Sequence, residues 1–374
     1  MHIGFIEDTP LRGGTQIWVT EAVKDFISKG HKVSVVAPED TYVANTSREL
    51  GARVATYDFD DIPKNPEKYK QNWIDGLNGC DVAVTTVHPP RDGFHCSIFG
   101  AECIKTGGLD TILVPKTGSI VPWYKREYYM PDPAVKTNVV CITNFTRDYL
   151  VDVYKIPADK VDLVYQGTEV DRFTSSKETK AEAMRRYPLT QDAGPVLGSI
   201  GAMEPRKGQI ILLQSIKRIL DAGKLPNIHV MFVGEGPDEL MLKAVTKAYG
   251  LEDHVSFFPF TSEPNYVFDR IDILAFPSLY KEGLPNVLLE SMSMKVPVIS
   301  TRMTGIPEVV FDNKTGFLTD PGNVEQFSDA IEKVWKNPET CTEMGENARK
   351  LMEDRMDKKN QFNAFLSFFA DIIK

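Results

Sequence analysis

Apolar, β-branched runs alternate with segments of helical period from one end of the chain to the other, a pattern that predicts a parallel-sheet α/β architecture. The first repeat of this pattern reads as a strand over His2 to Glu7, a loop holding Gly13-Gly14, a helix from about Thr15 to Lys29, and a strand over Lys32 to Ala37. Within that helix Val19, Ala22, Val23, Phe26 and Ile27 recur at i, i+3, i+4, i+7 and i+8 and form one buried stripe. Gly30 then stops it. Further strands are expected over Asp81 to Val87, Thr111 to Val114, Val139 to Thr143 and Asp162 to Tyr165, followed by a charged helix over Lys177 to Arg186.

The polar, Pro- and Gly-bearing stretch Pro188 to Pro195 breaks the alternation and is the expected boundary between two lobes. The pattern then restarts: strands over Val196 to Gly201, Ile228 to Val233, Val255 to Phe258, Asp272 to Pro277 and Val296 to Ser300, with helices over Gln209 to Ala222, Pro237 to Tyr249 and Pro285 to Met294 between them. Helical segments run from Val324 onward. The expected division is therefore residues 1–188 as an N-terminal Rossmann-like domain and 189–356 as a C-terminal one, with a last helix over about 357–374 docking back on the first. Ligands of open parallel sheets sit beyond the C-terminal ends of the strands, so the active site is expected in a cleft where the two lobes face each other.

At 374 residues the chain is long enough for about two to three domains. With 43 Lys and Arg against 52 Asp and Glu, the net charge of −9 excludes a protein that binds nucleic acid through a general basic field. Any anion site has to be local. Five scattered cysteines without a Cys-x-x-Cys pair point to neither a disulfide framework nor a zinc knuckle. Met1 runs directly into His2-Ile3-Gly4 without the basic leader of a signal peptide, and no segment nears roughly 18 uninterrupted apolar residues. A cytoplasmic protein is expected, with peripheral membrane contact left open.

Three loops at strand C-termini carry candidate chemistry. Gly13-Gly14 precedes a helix whose free N–H groups face an anion, although the spacing is not that of a dinucleotide fingerprint. Glu204-Pro205-Arg206-Lys207-Gly208 places a planar guanidinium fork and a compact ammonium where a diphosphate would be neutralised as it departs. Glu282, in the loop before a helix, and Glu290, between one and two turns inside it, are able to address the hydroxyls of one ligand, with Gly283 and Leu284 between them. The bland alternatives are a simple turn, a solvated basic loop and two unrelated glutamates.

Taken together, Glu282 to Glu290, Glu204 to Gly208, Phe232-Val233-Gly234-Glu235-Gly236-Pro237, Gly305-Ile306-Pro307-Glu308-Val309 and Gly316-Phe317-Leu318 resemble the retaining GT-B glycosyltransferases of family 4, the glycosyl transferases group 1. In the first lobe the resemblance rests on Gly13-Gly14 and on Gln166 to Phe173, with Gln166 where the family carries Asn. It implies two Rossmann-like lobes, the second holding a UDP- or GDP-linked sugar and the first an acceptor: a glycan, a lipid-linked sugar or a small molecule. It further implies that Arg206 and Lys207 bind the donor diphosphate, Glu282 the transferred hexose and Glu290 the ribose, with Gly13, Gly14 and Gly234 also on the donor side. Transfer would proceed with retention, and the leaving phosphate would help take the acceptor proton.

One departure stands out. Many family members carry a His in the first-lobe loop that here reads Pro115-Lys116-Thr117-Gly118-Ser119, so either Thr117 or Ser119 takes part or the sugar is contacted differently. His88, ahead of Pro89-Pro90, and Trp123, in an aromatic and charged loop, are further acceptor-side candidates. Neither Asp58-Phe59-Asp60-Asp61 nor His88 with His95 makes a credible ligand set, so no metal and no cofactor are expected. Phe362, Phe365, Leu366, Phe369, Ile372 and Ile373 form a helical apolar stripe that suits docking on a lobe better than a membrane, because the opposite face is not strongly basic. A sugar-nucleotide-binding protein without transferase activity and a GT-B-shaped epimerase are the alternative readings. The donor base, sugar, acceptor and oligomeric state are not written in the chain.

Overall fold

A computed structural model describes residues 1–118, 125–189 and 194–374. Two units emerge, one comprising 1–165 with 361–374, the other 166–360. The division thus falls ahead of the expected break at 188, because the segment after Tyr165 belongs with the second unit. Gln166 donates to Asn286 (3.1 Å) and Arg172 to the Ser262 carbonyl (3.0 Å).

In chain order the first unit contains β1 (His2–Ile6), α1 (Gly14–Ser28), β2 (Lys32–Pro38), α2 (Tyr42–Glu49), β3 (Arg53–Tyr57), α3 (Pro66–Leu77), β4 (Val82–Thr86), α4 (Cys96–Thr106), β5 (Ile112–Lys116), β6 (Val139–Cys141), α5 (Asn144–Asp152) and β7 (Val161–Leu163). Its seven strands are all parallel, in the order β3-β2-β1-β4-β5-β6-β7. Strand β3 escapes the hydrophobic pattern because Arg53 and Thr56 interrupt it. Chain order reverses between β1 and β4, which opens a crevice at their C-terminal ends.

The second unit contains α6 (Lys177–Arg186), β8 (Val196–Ile200), α7 (Gln209–Asp221), β9 (His229–Val233), α8 (Glu239–Ala248), β10 (Val255–Phe258), α9 (Asn265–Phe268), β11 (Ile273–Phe276), α10 (Asn286–Ser293), β12 (Val298–Thr301), β13 (Gly316–Thr319), α11 (Val324–Lys336) and α12 (Pro338–Arg355). Its parallel sheet runs β10-β9-β8-β11-β12-β13, with the reversal between β8 and β11. One face is covered by α7 and α11, whose Leu212, Leu213, Ile216, Phe327 and Ile331 are fully buried against Phe232 and Ile299.

The last helix, α13 (Lys358–Ile373), crosses into the first unit at Gln361. Phe365 packs on Trp18 (ring centroids 5.3 Å), Phe362 and Phe369 on Phe26 (5.8 and 6.2 Å), and the Trp18 indole donates to Gln361 (3.2 Å). Of the expected stripe, Ile373 stays exposed, while Phe368, off the stripe, is buried. Among the described residues no helix is long and apolar enough to cross a membrane.

Candidate functional site

The second unit's crevice is built from two loops locked together through their backbones. After β8 the chain makes one tight turn over Pro205–Lys207 and enters α7 through Gly208 in a left-handed conformation (φ +65°). A side chain at Gly208 would lie 2.2 Å from the Pro277 carbonyl, so glycine alone lets this loop press on the one after β11. Leu279 seals the contact by donating its N–H to the Arg206 carbonyl (2.7 Å).

That contact brings Arg206 and Lys207 to Glu282. Arg206 Nη1 (2.9 Å), Lys207 Nζ (2.7 Å) and the hydroxyl of Ser278 (2.8 Å) all donate to Glu282 Oε1. Ser278 is itself buried, and its carbonyl accepts from Thr301 at the end of β12 (2.7 Å). Sequence reasoning missed Ser278, whose signal was its place between a strand end and Glu282. The other edge of Arg206 pairs with Glu204 (2.6 Å). Two cations thus face two carboxylates. Only 6 % of Glu282 is exposed, and among the described residues Oε2 has no hydrogen-bond partner. Burial pushes the Lys207 ammonium below its ordinary value against the pull of Glu282, and its Nζ lies 4.8 Å from the centre of the Phe276 ring.

Gly234 follows β9 at φ +144°, where an added Cβ would come within 2.1 Å of the Gly201 carbonyl. The loop after β9 is thereby packed on the loop after β8, and Met203 donates to the Glu235 carbonyl (2.9 Å). Gly283 continues the Glu282 loop, its carbonyl accepting from Thr304 (3.3 Å), and Leu284 is buried. Helix α10 starts at Asn286 with Pro285 as its N-cap, so Glu290 lies one turn inside. Burial raises the Glu290 carboxyl to about 7, opposed by Arg172 and Lys358. Its cationic neighbours are therefore not the Arg206-Lys207 pair that converges on Glu282.

In the first unit, Gly13 is the N-cap of α1 in extended backbone and Gly14 its exposed first residue. Gly13 gives its N–H to Gln16 Oε1 (3.0 Å), so that donor is already engaged. His88 lies beyond β4, with Nε2 2.7 Å from Glu7 Oε1. Burial lowers the His88 value, but the hydrogen bond and charge of Glu7, helped by Asp8, outweigh it and leave it raised. Lys116 ends β5 in the interior, 4.2 Å from the Trp18 ring centre, and burial pushes it down to about 8. Thr117 is buried and donates its N–H to the Val140 carbonyl (2.9 Å). Ser119 and Trp123 lie outside the described residues.

Asp58 turns its own loop, accepting the N–H groups of Asp60 and Asp61 (both 2.9 Å), while Asp61 holds Lys68 (2.6 Å). Among the described residues no group of three metal-ligating side chains exists.

Residues 180–351 match the family of glycosyl transferases group 1. The chain is 30% identical over 368 residues to a GDP-mannose-dependent α-(1-6)-phosphatidylinositol monomannoside mannosyltransferase of Mycobacterium tuberculosis, covering 91% of this chain and 90% of the relative. It is 26% identical over 245 residues to the α-D-kanosaminyltransferase of Streptomyces kanamyceticus, covering 64% of this chain and 61% of that protein. In fold it is similar to HepE of Anabaena crystallised with UDP, with a TM-score of 0.85 at 16% identity over 99% of this chain and all of the other. Two parallel Rossmann-like sheets with these relatives make it a GT-B protein, and the chain belongs to the glycosyl transferases group 1.

Proposed function

We propose that the chain transfers a hexose from a UDP- or GDP-linked donor to an acceptor hydroxyl with retention of anomeric configuration, as in family 4, without a metal or other cofactor. The single observation that carries this reading is the convergence of Arg206, Lys207 and Ser278 on one oxygen of Glu282 at the crevice between β8 and β11. The three donors hold Glu282 in place and leave Oε2 for a sugar hydroxyl. Arg206 and Lys207, preorganised and partly desolvated, stabilise the negative charge that develops on the departing diphosphate, the task a metal would otherwise perform. Glu290, carrying a proton up to about pH 7, binds ribose hydroxyls as donor or acceptor. The leaving phosphate helps take the acceptor proton, and enzyme groups orient the reactants.

The first unit binds the acceptor, a glycan, a lipid-linked sugar or a small molecule. The protein works in the cytoplasm, with membrane-peripheral contact where the acceptor is lipid-linked. The mannosyltransferase relative makes GDP-mannose the first donor to test. A thermal-shift series with UDP-, GDP- and ADP-sugars identifies the donor, since a ligand of the native state raises Tm. Proton NMR of the product then reads the anomeric configuration. An inverted product excludes retention, and no shift with any sugar nucleotide excludes the donor site.

A further inference from the structure

The first unit carries a second polar constellation, at the crevice between β1 and β4. Glu7, the residue after β1, is fully buried. Its Oε2 accepts from the Thr86 hydroxyl (2.7 Å), and its Oε1 accepts from the Gln16 amide (3.0 Å) and lies 2.7 Å from His88 Nε2. Thr86 Oγ1 is also 2.9 Å from His88 Nε2. Having given its proton to Glu7, that hydroxyl shows His88 only a lone pair. Both neighbours of Nε2 are therefore acceptors, so Nε2 keeps its hydrogen in either charge state and Nδ1 is the atom that titrates.

The backbone under this ring is fixed as well. His95 Nδ1 accepts the Ser97 N–H (3.2 Å), so its Nε2 carries hydrogen and donates to the His88 carbonyl (3.0 Å). Pro89 and Pro90 stiffen the next residues. The His88 side chain is 24% exposed, and among the described residues Nδ1 has no hydrogen-bond partner. The charged groups acting on it are Glu7, Asp8 and Lys116. A buried carboxylate is an expensive way to fill space, since an apolar residue of similar volume serves stability as well or better.

We propose that His88, oriented by Glu7, binds a hydroxyl of a sugar or cyclitol acceptor through Nδ1, with Glu7 as a positioning residue. The inference rests on the reading above that the second unit holds the donor. A neutral Nδ1 presents one lone pair in a fixed direction, which selects a hydroxyl that donates and discriminates against an analogue lacking it.

The test uses the full chain with methyl α-D-mannoside and myo-inositol as probes, followed by long-range proton–nitrogen NMR of the imidazoles. The expected spectrum shows hydrogen on Nε2, an Nδ1 signal that shifts saturably with at least one probe, and a titration midpoint that falls in Glu7→Gln. His88→Phe, which keeps a ring without the acceptor atom, weakens probe binding about tenfold or more, and His88→Gln, whose carbonyl accepts a hydrogen bond, restores part of it. Donor binding, read as the thermal shift with the sugar nucleotide, is unchanged in all three variants, because the residues assigned to the donor lie in the second unit. An Nδ1 signal indifferent to both probes, or a His88→Phe chain that loses the donor-induced thermal shift along with probe binding, overturns the proposal. Absence of donor binding in the wild type is a different result and overturns the donor reading instead.

Discussion

Lys207 Nζ and Glu282 Oε1 lie 2.7 Å apart although 75 residues separate them in the chain. Each depends on the other: the carboxylate is buried with three donors on one oxygen, and the ammonium loses solvation in the same place. Replacing Glu282 by Gln keeps the shape and removes the charge. Transfer is expected to fall about 10²–10³-fold with the far-UV circular dichroism unchanged, since charge complementarity in a desolvated site carries much of the rate. Full activity would end the assignment of Glu282.

Arg206 and Lys207 should not be interchangeable with simpler groups. Arg206→Ala and Lys207→Ala are each expected to abolish most transfer and to weaken nucleotide diphosphate binding in calorimetry, while Lys207→Arg fails to restore it because the larger guanidinium cannot take the place of a compact, largely buried ammonium 2.7 Å from Glu282 Oε1. Unaltered diphosphate affinity in both alanine variants would remove the phosphate role.

Glu290 sets a pH dependence whose sign follows from its burial. The folded chain keeps this proton up to about pH 7, whereas the unfolded chain releases it in the ordinary glutamate range. The associated stability is complete below that range and is lost as pH rises through 7. Glu290→Gln, permanently neutral, should gain on the wild type as pH increases, by up to about 3 kcal/mol above neutrality. Urea midpoints across pH measure this, and parallel curves for the two proteins would refute it.

Gly234→Ala is expected to destabilise the second unit by about 3 kcal/mol or more, because the added carbon meets the Gly201 carbonyl at 2.1 Å in backbone that side chains rarely adopt. Denaturant unfolding reads the loss. Wild-type stability would show that the two loops can separate freely.

Phe365→Ala should cost about 3–5 kcal/mol in the first unit, since a fully buried ring packed at a tilt against Trp18 is replaced by a cavity. A midpoint within error of wild type would mean that the last helix contributes nothing to that core.

Period and punctuation along the chain determined the class of fold, the order of most elements and the loops at strand ends, because apolar spacing records which face of a strand or helix is buried. The Arg-Lys turn and the Glu282 loop were legible for the same reason: each stands directly after an apolar strand. What pattern alone could not reach were relationships made by burial and by strand order. Strand β3 hides behind Arg53 and Thr56, and the division falls after Tyr165, with Gln166 and Arg172 bonded within the second unit. Ser278 on Glu282, the separate surroundings of Glu290, and the Glu7-His88 pair across two neighbouring strands exist only once the sheets form. Local propensity places a residue on a loop. Which atoms then share a proton or a charge is decided by the order of strands in each sheet, where chain order reverses and distant loops come within hydrogen-bond reach.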